Sequence, residues 1–370
     1  AEEEHLAAIN AAMSDEEKAR VVEQAKALEE RQTQVDDPEL LPKVGLADVP
    51  AEVRIPESYP QSISGTDSVI YKQGTNGLVY HEIVCELPAL TDEELDLLPY
   101  YSACLTELGC GDKDYLQVQE WQSSVSGGIN AQHSIRALTD DEQKTRSYFL
   151  FSGKALNRNN KKLAELMWET LDGIRFDETD RIAELITQMR SRRERSVTGN
   201  GHSLAMSAAS SGFNPVASLN HRYSGLAGIK AVKELDDSHS EKSAVEHTAS
   251  VFAAIHDKIK AAAKSYMLTM EADKVDDVVK DFESLWGAQE SGAGSKLELP
   301  EIKQQTKQMW IANTQVNFCS KAYPTVTMEH PDAAALSVLG GFMRNGFLHT
   351  AVREQGGAYG GGATQDTNIA

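Results

Sequence analysis

Arg353-Glu354-Gln355-Gly356-Gly357-Ala358-Tyr359-Gly360-Gly361-Gly362 follows an apolar run of helical period, Ala333 to Val352, so a charged helix end passes straight into five glycines gathered around one tyrosine. Glycine is the residue for backbone approaches where a Cβ would collide, and for positive φ. Arg353 and Tyr359 add a planar cationic donor and a phenol on the two sides of the turn. Two readings stay open on these residues alone. One is a helix C-cap running into a glycine-weakened strand; the other is a backbone shaped to let a ligand come close.

Working outward, 370 residues exceed one ordinary core and predict two to three domains. A chain with 41% hydrophobic and 25% charged residues is of the soluble globular type, and no apolar run reaches the roughly 18 residues of a membrane span. Residues 1–30 are acidic and helical in pattern, without the basic start and short apolar core of a secretory leader. The sequence opens inside that pattern, which leaves room for further segments ahead of it. With 56 acidic against 36 basic side chains the net charge is −20, which argues against a nucleic-acid partner and suits cationic ligands or plain solubility. Cys85, Cys104, Cys110 and Cys319 form no CxxC pair and no disulfide framework, so a reducing compartment is expected, bacterial cytoplasm or organelle matrix.

Residues 1–34 read as an amphipathic helical arm with a capping box at Ser14 and Glu17. Prolines 38, 42, 50, 56 and 60 then forbid regular helix and predict a linker. Strand-like runs Ser68–Gln73 and Leu78–Leu87 flank Gly74-Thr75-Asn76-Gly77, a hairpin signal. Thr91-Asp92-Glu93-Glu94 caps a helix running toward Leu108, and Tyr115–Val125 is a second. A turn at Gly127-Gly128 enters a strand, Ser147–Ser152 is another, and 160–173 and 178–196 are amphipathic helices. Residues 197–225 read as small-residue helix and loop, and a helix over Glu241–Ala262, a strand over Tyr266–Glu271 and a helix over Val275–Trp286 follow. Gly287–Lys296 is polar and glycine-rich, the clearest boundary in the chain, and beyond it Lys307–Phe318 has strand character. This alternation predicts an α/β fold of α+β layers, helices packed on a mixed sheet.

Several chemistries are excluded by what is missing. Neither HExxH nor HxxEH occurs; in Ser243-Ala244-Val245-Glu246-His247 a serine stands where the first zinc-binding histidine is required. There is no GxSxG elbow, and Gly356–Gly362 lacks the Gly-Lys-Ser or Gly-Lys-Thr of a P-loop. Arg190, Arg192, Arg193 and Arg195 lack interleaved aromatics and read as a solvated helix end.

Val352-Arg353-Glu354 followed by Gly356-Gly357-Ala358-Tyr359-Gly360, after a helix ending near Leu348, resembles the signature of the later half of the inverted-zincin M16 metallopeptidases, in the presequence-protease branch (subfamily C). Leu41-Pro42 with Asp48-Val49-Pro50 after a helical arm resembles that branch's associated hinge segment, and the likeness covers nearly the whole chain. It implies four homologous α/β domains in two halves, joined by a helical hinge and closing around an unfolded peptide. On that pattern 1–60 would be the arm and hinge linker, 61–286 a third M16-type domain, 287–302 a linker and 303–370 the truncated start of a fourth. Pro99-Tyr100-Tyr101-Ser102-Ala103-Cys104, ahead of Gly128-Ile129-Asn130-Ala131, is similar to the zinc-bearing stretch with Tyr100 and Cys104 for the histidines and Ala103 for the glutamate.

The resemblance therefore implies no metal in this chain, with zinc and its general base in an N-terminal half and this fragment inactive alone. It makes Arg353 and Tyr359 catalytic donors to the tetrahedral oxyanion, and Gly356, Gly357, Gly360 and Gly361 a substrate-binding backbone beside a strand edge. An acidic chamber wall would favour cationic peptides. The implied partners are an unstructured peptide and the zinc-bearing half, without nucleic acid or membrane. The alternative is a non-catalytic peptide- or partner-binding scaffold of the same fold, which has no need of an oxyanion donor pair.

Overall fold

In the computed structural model the described residues are 2–33, 37–40, 42–287 and 294–369. Leu41, with which the hinge pattern opens, and residues 288–293 of the glycine-rich boundary lie outside them. The backbone divides into two compact units, Ala1–Pro56 and Glu57–Ala370.

The first unit carries helices α1 (Glu2–Ala12) and α2 (Asp15–Thr33). The predicted restart between them is real: Ser14 Oγ accepts from the Glu17 N–H at 3.3 Å and Glu17 accepts from the Ser14 N–H at 2.8 Å. That reciprocal pair satisfies two orphan donors at the start of α2.

The second unit is built on six strands: β1 (Tyr59–Ile63), β2 (Thr66–Lys72), β3 (Leu78–Glu86), β4 (Ile129–Ala137), β5 (Thr145–Leu156) and β6 (Lys264–Met270). Around them run α3 (Asp92–Cys104), α4 (Tyr115–Val125), α5 (Asn160–Asp172), α6 (Thr179–Gly199), α7 (Gly201–Ser210), α8 (Pro215–Tyr223), α9 (Leu226–Ser238), α10 (Lys242–Ala261), α11 (Val275–Trp286) and α12 (Ala333–Met343). The sheet order is β1-β2-β6-β3-β5-β4; β2 and β6 are parallel and every other neighbouring pair antiparallel. The fold is thus the α/β arrangement of helices on a mixed sheet that the alternation predicts.

One turn reading is corrected by this order. Gly74-Thr75-Asn76-Gly77 does turn the chain, with Asn76 and Gly77 at φ 54° and 80°, but it joins strands that are not neighbours. β6 inserts between β2 and β3, so the link spans two strand spacings, about 10 Å. The tight hairpin is instead β1 to β2, through Ser64 (φ 47°) and Gly65 (φ 85°). β1 also begins at Tyr59, inside the stretch read as linker, with Pro60 on an edge strand where a missing N–H is tolerated.

Strand alternation sorts the sheet into two faces. Val79, His81, Ile83 and Cys85 of β3, Phe149 and Phe151 of β5, and Tyr266 and Leu268 of β6 are buried on one face, each aromatic or aliphatic side chain contributing about 1.5–3 kcal/mol. Helices α3, α5, α10 and α11 close that face. Trp286 of α11 stacks on Phe282 at 5.8 Å and donates Nε1–H to the Ala164 carbonyl of α5 at 3.2 Å. Tyr101 of α3 meets Phe149 of β5 and Phe252 of α10 at about 6 Å between rings. Opposite them Val69, Tyr71, Tyr80, Glu82, Val84, Tyr148, Leu150 and Met267 are half-buried or exposed.

Beyond α11 the chain departs from expectation. Lys307–Phe318 forms no strand: Met309 and Ile311 are exposed, and the segment is held by side chains on α7 and α8. Gln308 donates to the Ala208 carbonyl at 3.1 Å, Trp310 meets the His221 ring at 5.8 Å, and Phe318 meets His202 at 5.0 Å. Strand-like composition makes a strand only where a ladder partner exists, and none pairs here among the described residues. The last helix is α12 to Met343 and then changes pitch to π-type turns over Arg344–Gln355, just past Gly340-Gly341. Among the described residues no helix is long and apolar enough to cross a membrane.

Candidate functional site

The glycine-rich segment is a helix end that folds back on itself. Gly357, at φ 68°, donates its N–H to the Arg353 carbonyl at 3.1 Å, and Ala358 donates to Val352 at 3.1 Å, closing the last turn. A Cβ at Gly356 would lie 2.7 Å from the Val352 carbonyl, and one at Gly361 3.0 Å from the Val352 side chain. These glycines are required by the fold-back itself. A Cβ at Gly340 would meet the Thr364 Cα at 3.2 Å, so the returning chain rests on α12. Gly360 has open space around its Cα, and no described strand edge runs beside the segment, contrary to the expected adjoining strand.

Arg353 is exposed in the last helical turn and Tyr359 is 90% exposed. Among the described residues neither side chain has a hydrogen bond or an ion pair. Their donors are free to meet something outside this chain, and no distance in the structure ties the two to each other.

The substituted stretch on α3 is built differently. Thr91 and Glu94 form the predicted capping box, with Thr91 Oγ1 accepting from the Glu94 N–H at 3.2 Å and Glu94 accepting from the Thr91 N–H at 2.7 Å. Pro99 removes the helical donor for the Leu95 carbonyl. The Tyr223 hydroxyl of α8 replaces it, donating to that carbonyl at 2.7 Å. The proline is thereby held inside the helix by a tertiary bond. Tyr100 and Cys104 point into the core and Ala103 outward.

These side chains do not fit a zinc ion. The Tyr100 oxygen accepts from Arg193 at 3.3 Å, and burial raises its phenol above the ordinary range. Burial drives the Cys104 thiol up to about 12, away from the thiolate that a metal takes. Ala103 supplies no donor at all. The neighbouring polar residues are engaged with each other: Ser102 with His133 at 3.2 Å, and Tyr101 with His256 at 2.9 Å. Burial holds His133 and His256 neutral, with pKa values near 4.

A feature that sequence reasoning missed is the uncovered face of the sheet, where a hollow of about 320 Å³ opens beside β2, β6 and β3. The alternation of β3, with Val79, His81, Ile83 and Cys85 against Tyr80, Glu82, Val84 and Glu86, was the signal for it, but only the pairing order shows which strands continue that face.

Comparison with known proteins gives the frame for these parts. Residues 1–235 match the family described as peptidase M16 (subfamily C) associated, and residues 256–369 match the one described as peptidase M16 inactive domain. Among curated relatives, the mitochondrial presequence protease of Yarrowia lipolytica is 26% identical over 368 residues, covering 98% of this chain and 37% of the relative. That of Xenopus laevis is 25% identical over 393 residues, covering 98% and 38%. This chain thus spans little more than a third of the length of these relatives. A crystal structure of a peptidase M16 inactive domain from Pseudomonas fluorescens superposes with a TM-score of 0.48 at 14% identity, over 82% of this chain and 69% of that one. With a family match that runs through more than half of its residues, the chain belongs to the family associated with subfamily C of the M16 peptidases.

Proposed function

We propose that this chain is the non-zinc half of a zinc metalloendopeptidase that degrades unstructured peptides of the presequence type, and that it is inactive alone. The observation that carries the reading is the match of 98% of the chain to presequence proteases. In this reading the residues divide as 1–60 for arm and hinge linker, 61–286 for a third M16-type domain, 287–302 for a linker and 303–370 for the start of a fourth.

Its contribution to hydrolysis is positioning and charge. The zinc-bearing N-terminal half of the same polypeptide supplies the activated water; the uncovered sheet face supplies a wall of the peptide chamber. Arg353 and Tyr359 donate hydrogen bonds to the scissile carbonyl as it becomes a tetrahedral oxyanion, a role that asks for donors without partners inside the chain. Gly356, Gly357, Gly360 and Gly361 keep the backbone between them free of side chains where the peptide passes. A scaffold that only holds peptide has no use for this donor pair, which favours the enzyme reading.

The test joins this chain to the zinc-bearing half and follows hydrolysis of a fluorogenic unstructured peptide. Turnover is expected only with both halves present, and Arg353→Ala and Tyr359→Phe are each expected to lower kcat by about 10²–10³. Unchanged turnover in both variants would remove the assigned role, and hydrolysis by the zinc-bearing half alone at the full rate would remove the reading.

A further inference from the structure

Glu82 lies in the middle of the uncovered sheet face. β3 is flanked by β6 and β5, and the register sets Met267 on one side of Glu82 and Ser152 on the other, with cross-strand Cβ atoms about 5 Å apart. Tyr80 and Val84 precede and follow it on the same face. Among the described residues no cation lies within ion-pair distance of its carboxylate and no donor hydrogen-bonds it. Glu86, two positions beyond Val84, is by contrast paired with Lys296 at 2.5 Å. Lys154, opposite Tyr80, is the nearest cation by register and does not reach it. Partial burial raises the Glu82 carboxyl above its ordinary range with no compensating contact.

The hollow adjoins this carboxylate. Val84 and Met267, which line it, are the residues next to Glu82 along and across the sheet, and Val69, Tyr71 and Pro60 add apolar lining beside the polar Gln61, Asp67 and Ser265. An extended chain laid on this face repeats its side chains every second residue, about 6.6 Å, which is also the spacing from Glu82 to Val84. A half-desolvated carboxylate that, among the described residues, no cation answers, beside a partly apolar recess, complements one cation and one apolar group at that spacing.

We infer that Glu82 and the adjoining hollow form a subsite for a peptide that presents a lysine or arginine and an apolar residue two positions apart. This rests on the peptide-degrading reading above and assigns to it one specificity-determining residue.

The test measures binding of fluorescein-labelled unstructured decapeptides to the 370-residue chain by anisotropy. One peptide carries Lys and Val two positions apart; its analogue has norleucine for Lys. The parent protein is expected to prefer the Lys peptide by about tenfold or more, as a charge-assisted hydrogen bond gives. Glu82→Gln is expected to abolish that preference while leaving the norleucine peptide unchanged. Equal affinities for the two peptides in the parent overturn the subsite even if Glu82→Gln fails to fold, and so does an equal loss for both in the variant; in either case the peptide-binding reading stands. Binding of neither peptide overturns the subsite, while the proposed function answers to its own turnover test with both halves.

Discussion

Replacing His81 with leucine should flatten the acid limb of the stability profile by one proton. His81 is fully buried on β3, its ring edge-on to Phe282 at 5.1 Å. Asn160 fixes its tautomer. The Asn160 amide nitrogen donates to Asp281 at 3.0 Å, which turns its carbonyl oxygen to His81 Nε2 at 2.9 Å, so Nε2 carries the hydrogen. Nδ1 is buried and, among the described residues, has no partner. A second proton would sit there uncompensated. Burial accordingly lowers the pKa from 6.5 to about 4, against the smaller opposing pulls of Asn160 and Asp281.

The sign follows from which state holds the proton. Below pH 6.5 the unfolded chain protonates His81 while the folded chain does not until about pH 4, so unfolding takes up a proton across that window. The stabilisation is complete above pH 6.5 and lost as the pH falls toward 4, a loss of about 3 kcal/mol at ~1.4 kcal/mol per pH unit. Leucine strands the Asn160 carbonyl and lowers stability by about 1–3 kcal/mol at every pH, which changes the offset and not the slope. Urea unfolding followed by tryptophan fluorescence, to which the buried Trp286 against Trp168 at 5.2 Å contributes, gives the free energy at pH 7.5, 6.5, 5.5 and 4.5. Between 6 and 4.5 the variant should fall less steeply than the parent by about 1.4 kcal/mol per pH unit. Other buried histidines and paired carboxylates act equally in both proteins, so parallel profiles would refute a neutral His81.

Gly153→Ala should destabilise the second unit by about 1–3 kcal/mol, because its Cβ would stand 2.8 Å from Met167 Sδ and 2.9 Å from Leu163 Cδ1; chemical denaturation that shows no change would mean α5 sits farther from β5 than described. Thiol titration with a chromogenic disulfide at pH 8 should count one fast cysteine, exposed Cys319, with Cys85, Cys104 and Cys110 reacting only in denaturant, since burial raises their thiols, the first two to about 11 and 12. Fast reaction of a second thiol in the folded chain would contradict the packing of α3 or β3.

What the sequence disclosed, and what it hid, divides by how far apart the deciding contacts lie. Tyr115–Val125 and Val275–Trp286 were legible to the residue because helical period and local caps such as Asp114 with Gln117 decide them within a few positions. The Gly74–Gly77 turn was legible as a turn and misread as a hairpin because the strand that separates its arms, β6, comes nearly two hundred residues later. Lys307–Phe318 failed for the converse reason: its strand-like composition is real, but side-chain contacts with α7 and α8 take the place of a ladder.

The same division runs through the candidate site. Gly356, Gly357 and Gly361 stood out in sequence and are now explained twice, since the fold-back onto Val352 needs them whether or not a peptide passes. Their presence therefore no longer argues for a ligand. Arg353 and Tyr359 are left outside by the fold-back and, among the described residues, without partners; Arg353 in the last turn also suits the helix C-terminus, so turnover of the Arg353→Ala and Tyr359→Phe variants decides their part. Glu82 inverts the case: one acidic residue among 56, it gains meaning only when the register puts Met267 and Val84 around it and leaves its charge unanswered.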